Sequence, residues 1–310
     1  MRGPDRRLVW AALATIYVLW GSTYLGIKLT SETLPPFLSG SARFLIAGTT
    51  LGVAAVVAGQ FRGGGPSRRQ WANAALSGAL LMGGGNAAVV FAEQRIDTGV
   101  TALIVSLAPL LIGVYLLVFF REPLPWRAWI GLALGFAGLA LLIQPGAQHL
   151  DPLGVAGELV SVILWAAGSV VASRTDMPAR PMLGSAAQMV AGAVVIGIEG
   201  LASGELGRFQ PGAVKWQSVA ALAYLIVFGS IVAFSAFSWL LRVVHVSVVA
   251  TAAYVNPVVA VVLGTLVLGE RISAREAVAG AVILGAVVLI VTARAAGPVA
   301  RGVAVPPEPG

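Results

Sequence analysis

One stretch of this sequence is present twice, and the repeat constrains the fold more than any other feature. Residues 246–290 align with residues 98–142 when the chain is shifted by 148 positions. The shift places Pro257 on Pro109 and Glu270 on Glu122, and 13 residues separate proline from glutamate in both copies. Each copy reads as an apolar helix containing the proline, a short polar turn and a second apolar helix. The pattern indicates a chain built from two related halves.

The composition indicates that these helices lie in a membrane. The chain of 310 residues is 58% hydrophobic and 11% charged, with a mean hydropathy of +0.89, whereas soluble domains carry about 25% charged residues. Runs of about 20 apolar residues are typical of a polytopic membrane protein. The sequence has no cysteine, which excludes disulfides and thiolate metal sites. The net charge of +7 is interpreted as loop charge that sets orientation, so no nucleic acid is expected as a partner.

We predict an all-α fold of ten membrane helices, because open backbone groups cannot be satisfied in lipid. The apolar run that begins at Leu8 is interpreted as a retained first span, not a cleaved signal peptide. The domains are expected to be two five-helix repeats, residues 1–147 and 148–294, with a disordered cytoplasmic tail at 295–310. The predicted helices span residues 8–28, 34–58, 71–93, 98–120, 126–144, 152–173, 181–201, 216–241, 246–268 and 274–293.

The basic residues predict the orientation of the two halves. With the N-terminus in the cytoplasm, 13 basic residues lie inside, 6 lie outside and Arg43 lies within a helix. This bias favours cytoplasmic N- and C-termini. Five spans per half is an odd number, so the second half must face the opposite way, as an inverted repeat. A shift of 145 in the earlier helices supports the duplication, since it places Trp20 on Trp165, Pro36 on Pro181 and Arg43 on Gln188.

Three motifs resemble those of a known family. They are LWGSTYLGIK at 19–28, the pair Pro35-Pro36 followed by Ala42-Arg43-Phe44, and AYVNPVVAVVLG at 253–264 before Gly269-Glu270. Together they resemble the drug/metabolite transporter superfamily, EamA type, over residues 8–293. The resemblance implies a 5+5 inverted repeat around a central cavity, in a bacterial inner-membrane exporter. It also points to aromatic and other amino acids as substrates, since the family includes exporters of these. One departure is that Ala108 stands where the first half would match Asn256.

The candidate substrate-binding residues are polar or aromatic side chains within the predicted spans. Arg43 is expected about 12 Å along its helix, either as a cavity cation for a substrate carboxylate or as a structural arginine paired with a residue such as Glu93. Gln188 is interpreted either as a substrate contact or as a helix-to-helix hydrogen bond. Trp20 and Trp165 are predicted near the midplane, where they are either walls of the site or core residues.

A second group of candidates lies beside helix irregularities. Pro109 and Pro257 are expected to kink their helices, either as hinges or as static bends. Near Pro257, Tyr254 and Asn256 supply polar groups for the substrate. Asn86 follows three glycines that allow close approach or bending, and is a further polar candidate.

The acidic residues give a weaker signal. Glu122 and Glu270 are predicted at opposite membrane faces, either as structural partners of Arg121 and Arg271 or as gates. Glu158 is the one acidic residue considered for proton coupling, and no relay of buried carboxylates is predicted.

The sequence therefore predicts a transporter and not an enzyme. Its two histidines lie in loops, no nucleophile or metal motif is present, and no catalytic residue, metal or cofactor is expected. The predicted function is passive or exchange-type export of small amphipathic metabolites, most of all amino acids, by alternating access. The alternatives are a broad exporter of hydrophobic drugs and, with less support, a membrane enzyme or a channel. The expected partners are a small-molecule substrate and the lipid bilayer, and the protein is expected to be a monomer.

Overall fold

The computed structural model describes residues 6–61, 64–122, 125–142, 151–243, 249 and 252–295, and this part of the chain is helical without strands. The apolar runs dictate long helices, and the predicted bounds agree with the observed ones to within three residues. Exceptions are the end of the fifth helix and the start of the ninth, which lie outside the described residues, as does the predicted tail from residue 296. The main helices are α1 Arg6–Ser31, α2 Pro36–Val57, α3 Arg68–Glu93, α4 Thr98–Phe120, α5 Trp126–Leu142, α6 Pro152–Arg174, α7 Pro181–Ala202, α8 216–243, α9 252–268 and α10 Ala274–Ala295.

The protein is an integral membrane protein by the length and composition of these helices. Seven segments in the described part of the chain are long and apolar enough to span a bilayer, namely α1, α2, α3, α4, α6, most of α7 and the first 22 residues of α8. Within α5 and α9, the segments Trp129–Leu141 and Val255–Leu268 are apolar but shorter. Large apolar side chains such as Val57, Phe119 and Leu266 are exposed on the helix surfaces, as expected where lipid is the solvent.

The turns that carry Glu122 and Glu270 lie at opposite ends of the bundle. The Glu270 carboxylate accepts a hydrogen bond from the backbone N–H of Thr98, the first residue of α4, at 3.0 Å. Glu122 follows the last residues of the same helix, which is 23 residues long and so spans about 33 Å. We refer to these as the Glu270 end and the Glu122 end.

The ion pairs of these two glutamates differ from the predicted ones. Glu270 pairs with Lys28, at the end of α1, and Glu122 pairs with Arg174, at the end of α6. Structural pairing with loop arginines such as Arg121 and Arg271 was predicted; Glu122 does pair with an arginine beside a loop, but neither glutamate pairs with the adjacent arginine. The chain leaves each helix through a left-handed residue, so the glutamate turns back towards neighbouring helices.

The helix ends before the two glutamates have the same backbone geometry. Arg121 has φ of 54° and Gly269 has φ of 70°, both in the left-handed region. The N–H of Glu122 donates to the carbonyl of Leu116 at 3.2 Å, and the N–H of Glu270 donates to that of Gly264 at 3.2 Å. Each bond reaches one residue further back than the bond of a Schellman C-cap, so both helices end in the same wide turn closed by a left-handed residue. The 148-residue shift seen in the sequence is thus also present in the local structure.

Two π-helical segments also occupy equivalent places. Ala79–Gly85 lies in α3 and Leu225–Val232 lies in α8, starting 146 residues later. A π-helical turn widens the helix and leaves carbonyl groups free for other partners. The segment in α3 contains the glycines that were predicted to allow bending.

The two prolines of the repeat differ in the structure. Pro257 lies inside the continuous helix Ala252–Leu263. In α4, however, the first segment ends at Val105 and a second begins at Ala108, so Pro109 lies in the first turn of a new segment. Pro109 was predicted to remove a helical hydrogen bond and kink its helix, and α4 is interrupted at Ser106 and Leu107, in the turn before this proline. A proline is well tolerated there because its missing N–H has no helical partner to lose.

Glycines allow the closest contacts between helices. A Cβ atom on Gly48 of α2 would lie 2.9 Å from Met189 of α7, and one on Gly138 of α5 would lie 2.8 Å from Ile283 of α10. Both are shorter than ordinary carbon contacts, so small residues are needed at these crossings. The helices of each pair occupy the same place in the two halves of the sequence, and they pack directly on each other.

Candidate functional site: a polar cleft between α1, α2, α3 and α8

A narrow cleft lies between α1, α2, α3 and α8, towards the Glu270 end. Its mouth includes Ser31 and Pro36, which stand at the adjoining ends of α1 and α2. Arg43 and Asn86 lie deeper along their helices. The remaining lining residues are Ile27, Thr30, Ser39, Gly40, Val90, Leu222 and Leu225.

Arg43 is the charged group of the cleft and is only 5% exposed. Its Nε atom donates a hydrogen bond to Ser230 Oγ of α8 at 2.8 Å, and its guanidinium lies 4.7 Å from the centre of the Phe44 ring. Among the described residues no acidic group forms an ion pair with it within 4.0 Å, so the alternative pairing with Glu93 is not found. Arg43 thus presents a charge that the described protein groups only partly satisfy.

The π segment of α8 accepts hydrogen bonds from two of the predicted residues. Trp20 of α1 donates from Nε1 to the carbonyl of Gly229 at 3.3 Å, and Arg43 bonds to the next residue, Ser230. The Trp20 ring packs edge-on against Phe234, with ring centres 5.7 Å apart, and against Phe237 at 5.0 Å. The π segment therefore brings the aromatic candidate of α1 close to the cationic candidate of α2.

Asn86 is the second polar group deep in the cleft. It begins the α-helical segment directly after the π segment of α3. Its Oδ1 atom is buried and has no hydrogen-bond partner in the described part of the chain. A buried carbonyl without a partner costs free energy, of the order of 1–3 kcal/mol. This site is therefore ready to accept a hydrogen bond from a bound molecule.

The other predicted residues lie away from the lining of this cleft. Gln188 of α7 donates to Ser77 Oγ of α3 at 2.9 Å, which is the helix-to-helix bond considered as one alternative. Trp165 of α6 packs against the apolar cluster around Phe44, Met82 and Met189.

The candidates near Pro257 lie on α9, and none of the described side chains of α9 lines this cleft. With its amide nitrogen towards the carbonyl groups, Asn256 donates to Tyr17 at 3.1 Å and to Ala252 at 3.2 Å. It therefore ties α9 to α1. The side chain of Tyr254 lies outside the described residues. The predicted residues with described side chains thus divide into Arg43 and Asn86 in the cleft, Trp20 beside it, and Gln188, Trp165 and Asn256, which contact other helices elsewhere.

An ion pair lies at the same end of the bundle as the mouth of the cleft. Lys28 Nζ is 2.8 Å from Glu270 Oε1 and 3.8 Å from Asp97 Oδ1. Burial alone would raise the pKa of Glu270, but hydrogen bonds from Lys28 and from the N–H of Thr98 outweigh it and hold the pKa below its ordinary value. The carboxylate is therefore ionised at neutral pH, and the pair links α1 to α9.

Ser230 was not among the predicted site residues. The signal that could have found it is the dipeptide Gly229-Ser230, the small polar interruption of an apolar run in the third helix of the second half. Its counterpart under the 146-residue shift is Gly83-Gly84, in the glycine run that the sequence did single out.

Comparison with known proteins identifies the class of the chain. The sequence model of the EamA-like transporter family matches twice, over residues 7–144 and 152–292. The chain is 38% identical over 283 residues to the uncharacterized inner membrane transporter YedA of Escherichia coli K12, covering 91% of this chain and 90% of YedA. It is 26% identical over 279 residues to protein PecM of Dickeya dadantii, covering 88% of each.

A solved crystal structure with 20% sequence identity shares the fold, with a TM-score of 0.63 over 94% of this chain and 99% of the other. The two family matches together span almost all of the chain that precedes the C-terminal tail. The chain belongs to the EamA-like transporter family.

Proposed function

We propose that this protein exports small amphipathic metabolites, amino acids first, across the inner membrane by alternating access. The observation that carries the proposal is the cleft in which Arg43, a buried cation, and Asn86, a buried carbonyl without a partner, both lie. The location agrees with the name of the relative YedA, an inner membrane transporter.

The architecture we propose is ten spans in two five-helix halves of opposite orientation, with both termini in the cytoplasm. The two family matches support the duplication, as do the matched π segments and the matched C-caps. The opposite placement of the Glu122 and Glu270 turns supports the inversion, and the bias of basic residues supports the orientation. Under this proposal the Glu270 end faces the periplasm.

The polar groups of the cleft suit the two charges of an amino acid. The guanidinium of Arg43 keeps N–H donors beyond the one that bonds Ser230, and these can bind a carboxylate in a bidentate manner. The Oδ1 atom of Asn86 can accept from an ammonium group. Trp20 with Phe234 and Phe237 provides an aromatic surface next to Arg43, which favours substrates with an apolar or aromatic side chain.

The polar groups of the cleft argue for a small charged substrate. A purely apolar drug would leave the remaining N–H donors of Arg43 and the Oδ1 atom of Asn86 without partners, which is unfavourable for buried groups. Export of drugs is the competing function, and a profile of drug resistance in cells that overproduce the protein would reveal it.

Two ion pairs are suited to close the ends of the bundle in turn. Lys28–Glu270 joins α1 to α9 at one end, and Arg174–Glu122 joins α6 to α4 at the other. In each case the last turn of the first helix of a half bonds the turn after the fourth helix of the other half. Breaking one pair while keeping the other would expose the cleft to one side only, as alternating access requires.

The test is transport by the purified protein in liposomes. Counterflow of radiolabelled phenylalanine and other amino acids should saturate, and Arg43→Gln should reduce it at least tenfold while the protein still inserts and folds. Arg208→Gln is the matched control, because Arg208 lies in a short surface helix and bonds only the carbonyl of Ser203. If no amino acid shows counterflow with the wild type, the substrate proposal is wrong. Equal loss in both variants would mean that Arg43 has no special role.

A further inference from the structure

Two buried serines accept hydrogen bonds from the second helix of the opposite half. Nε of Arg43, on α2, donates to Ser230 Oγ of α8 at 2.8 Å. Nε2 of Gln188, on α7, donates to Ser77 Oγ of α3 at 2.9 Å. Both serines are 0% exposed, and the 145-residue shift places Arg43 on Gln188. The two bonds are therefore one feature of the architecture, with a cation as donor in the first half and a neutral amide in the second.

The bond to Ser230 determines which donors of the guanidinium remain for a ligand. A guanidinium carries five N–H donors in one plane, one on Nε and two on each of the two Nη atoms. A carboxylate can bind it from the side, through Nε and one Nη, or from the end, through both Nη atoms. Because Ser230 occupies Nε, the second mode is the one that Arg43 keeps for a substrate.

Two further neighbours hold the guanidinium in this orientation. Its Cζ atom lies 4.7 Å from the centre of the Phe44 ring. A Cβ atom on Gly229 would lie 3.3 Å from Nη2 of Arg43 and 2.9 Å from the methyl group of Thr23, so the missing side chain of Gly229 gives the guanidinium room against α8. A hydroxyl, a ring and a glycine carry no charge. They orient the cation and leave its charge available to an anion.

We propose that Ser230 is a positioning residue that makes the cleft selective for carboxylates. The inference rests on the proposed function, to which it adds the residue that gives Arg43 its specificity. Ser230 is fully buried and does not line the cleft, so it acts through Arg43 and does not touch the substrate. Without its hydroxyl, Nε of Arg43 loses its acceptor and the guanidinium can turn about the bonds of its side chain. A carboxylate needs both Nη donors in a fixed geometry, whereas a neutral amide oxygen can use one, so the loss should fall on carboxylates.

The equivalent bond in the other half provides the matched control. Ser77 accepts from Gln188 and also donates to the carbonyl of Gly168 on α6 at 3.1 Å. Ser77→Ala therefore removes two hydrogen bonds between helices, whereas Ser230→Ala removes the bond from Arg43. The control should disturb the packing of the bundle at least as much, because both serines are fully buried. It does not reach the guanidinium, so any effect of general loosening will appear in both variants.

The first test observes the guanidinium and needs no substrate. NMR spectra of the purified protein with ¹⁵N-labelled arginine should contain a slowly exchanging Nε–H signal of Arg43, identified by its absence in Arg43→Gln. Ser230→Ala should speed the exchange of this proton with water by about tenfold or more, as expected for the loss of a hydrogen bond from a charged donor. Ser77→Ala should leave the exchange unchanged. Slow exchange that persists in Ser230→Ala would overturn the proposal.

The second test measures selectivity in proteoliposomes. Counterflow of radiolabelled phenylalanine is inhibited with unlabelled phenylalanine or with phenylalaninamide, which has a neutral amide in place of the carboxylate. The wild type should need about tenfold more of the amide for half-inhibition, since the amide leaves a buried charged donor without its partner. In Ser230→Ala the half-saturating concentration of phenylalanine should rise about fivefold, with little change in the maximal rate, and the preference over the amide should fall to about twofold. Ser77→Ala should keep the wild-type preference.

The possible failures of this test have different meanings. If Ser230→Ala keeps the wild-type preference, or if Ser77→Ala loses it equally, the positioning role is refuted and the exporter stands. Wild-type counterflow that does not distinguish phenylalanine from its amide would refute carboxylate selectivity in the same way. Absence of wild-type counterflow with any amino acid would refute the proposed function itself.

Discussion

Lys28 Nζ lies 2.8 Å from Glu270 Oε1, and this ion pair fastens the end of α1 to the turn after α9, 242 residues away in the chain. Its counterpart, Arg174 with Glu122, fastens α6 to the turn after α4 at the other end of the bundle. In this structure both pairs are formed, one at each end of the bundle. The equilibrium between open forms then depends on the relative strength of the two pairs.

Removing the Lys28–Glu270 pair should open the end to which it belongs. The chain has no native cysteine, so Ser31→Cys introduces a single label site at the mouth of the cleft. A membrane-impermeant maleimide should label it several-fold faster when Glu270→Gln is added, since the loss of about 1 kcal/mol changes an equilibrium about fivefold. Glu122→Gln is the matched variant at the opposite end and should slow or leave unchanged the same reaction. Equal acceleration by both variants would contradict the assignment of the two ends.

The same label should report the titration of Glu270. Because the folded pKa of Glu270 is lowered, its pair contributes stability at every pH above the ordinary value near 4.3 and loses it as the pH falls through the lower folded value. Labelling of Ser31→Cys, corrected for the pH dependence of the reagent with a free thiol, should therefore stay flat from neutral pH to about 5 and rise only in stronger acid. In Glu270→Gln the acid rise should be absent. If labelling of Ser31→Cys with Glu270 intact already rises near neutral pH, another group controls this end of the bundle.

Arg121→Gly should stabilise the protein. Arg121 adopts φ of 54°, where its repeat counterpart is Gly269 with φ of 70°, and a side chain in this region costs about 1 kcal/mol. Unfolding in detergent should show a higher midpoint for Arg121→Gly and a lower one for Gly269→Ala. No atom lies within 4 Å of a Cβ at Gly269, so the second change tests conformation without a clash. A destabilised Arg121→Gly would mean that its side chain makes contacts that outweigh the strain.

Gly78→Ala should separate α3 from α7. A Cβ there would lie 2.1 Å from the backbone oxygen of Gln188, and backbone cannot move aside as a flexible side chain can. We expect a loss of about 2–3 kcal/mol in unfolding free energy, as for other overpacked sites. Gly84→Ala is the control on the same helix, because its Cβ would meet only the tip of Leu164 at 2.6 Å. The control should lose clearly less, and an equal loss would indicate that helix propensity and not the contact sets the cost.

Much of the fold could be predicted because it depends on local composition. The limits of the helices follow from where the apolar runs end, and the repeat follows from Pro109, Glu122, Pro257 and Glu270. What the sequence did not show depends on neighbours that are distant in the chain. Glu122 and Glu270 were assigned to adjacent arginines, whereas Arg174 and Lys28 are brought to them by the packing of other helices.

The candidate site shows the same division. Arg43 and Asn86 were found because a polar residue inside an apolar run is conspicuous in any position. Glu93 was placed at a helix end and considered only as a partner for Arg43, whereas in the structure it is 1% exposed and accepts a hydrogen bond from Thr98. The sequence did not show that α4 is interrupted before Pro109 while α9 continues through Pro257, since both prolines stand in similar apolar runs.

The π segments in α3 and α8 carry information about the history of the chain. A π turn holds about one residue more than an α turn, and under the proposed duplication we interpret the segments in α3 and α8 as places where the chain gained a residue relative to a regular helix. The two gains lie at the same position in the two halves. Under the proposed duplication, one ancestral insertion explains both, and it must be older than the event that doubled the gene. A five-helix ancestor would already have carried the widened turn. When two such ancestors packed together in opposite orientations, each half would have contributed one π segment.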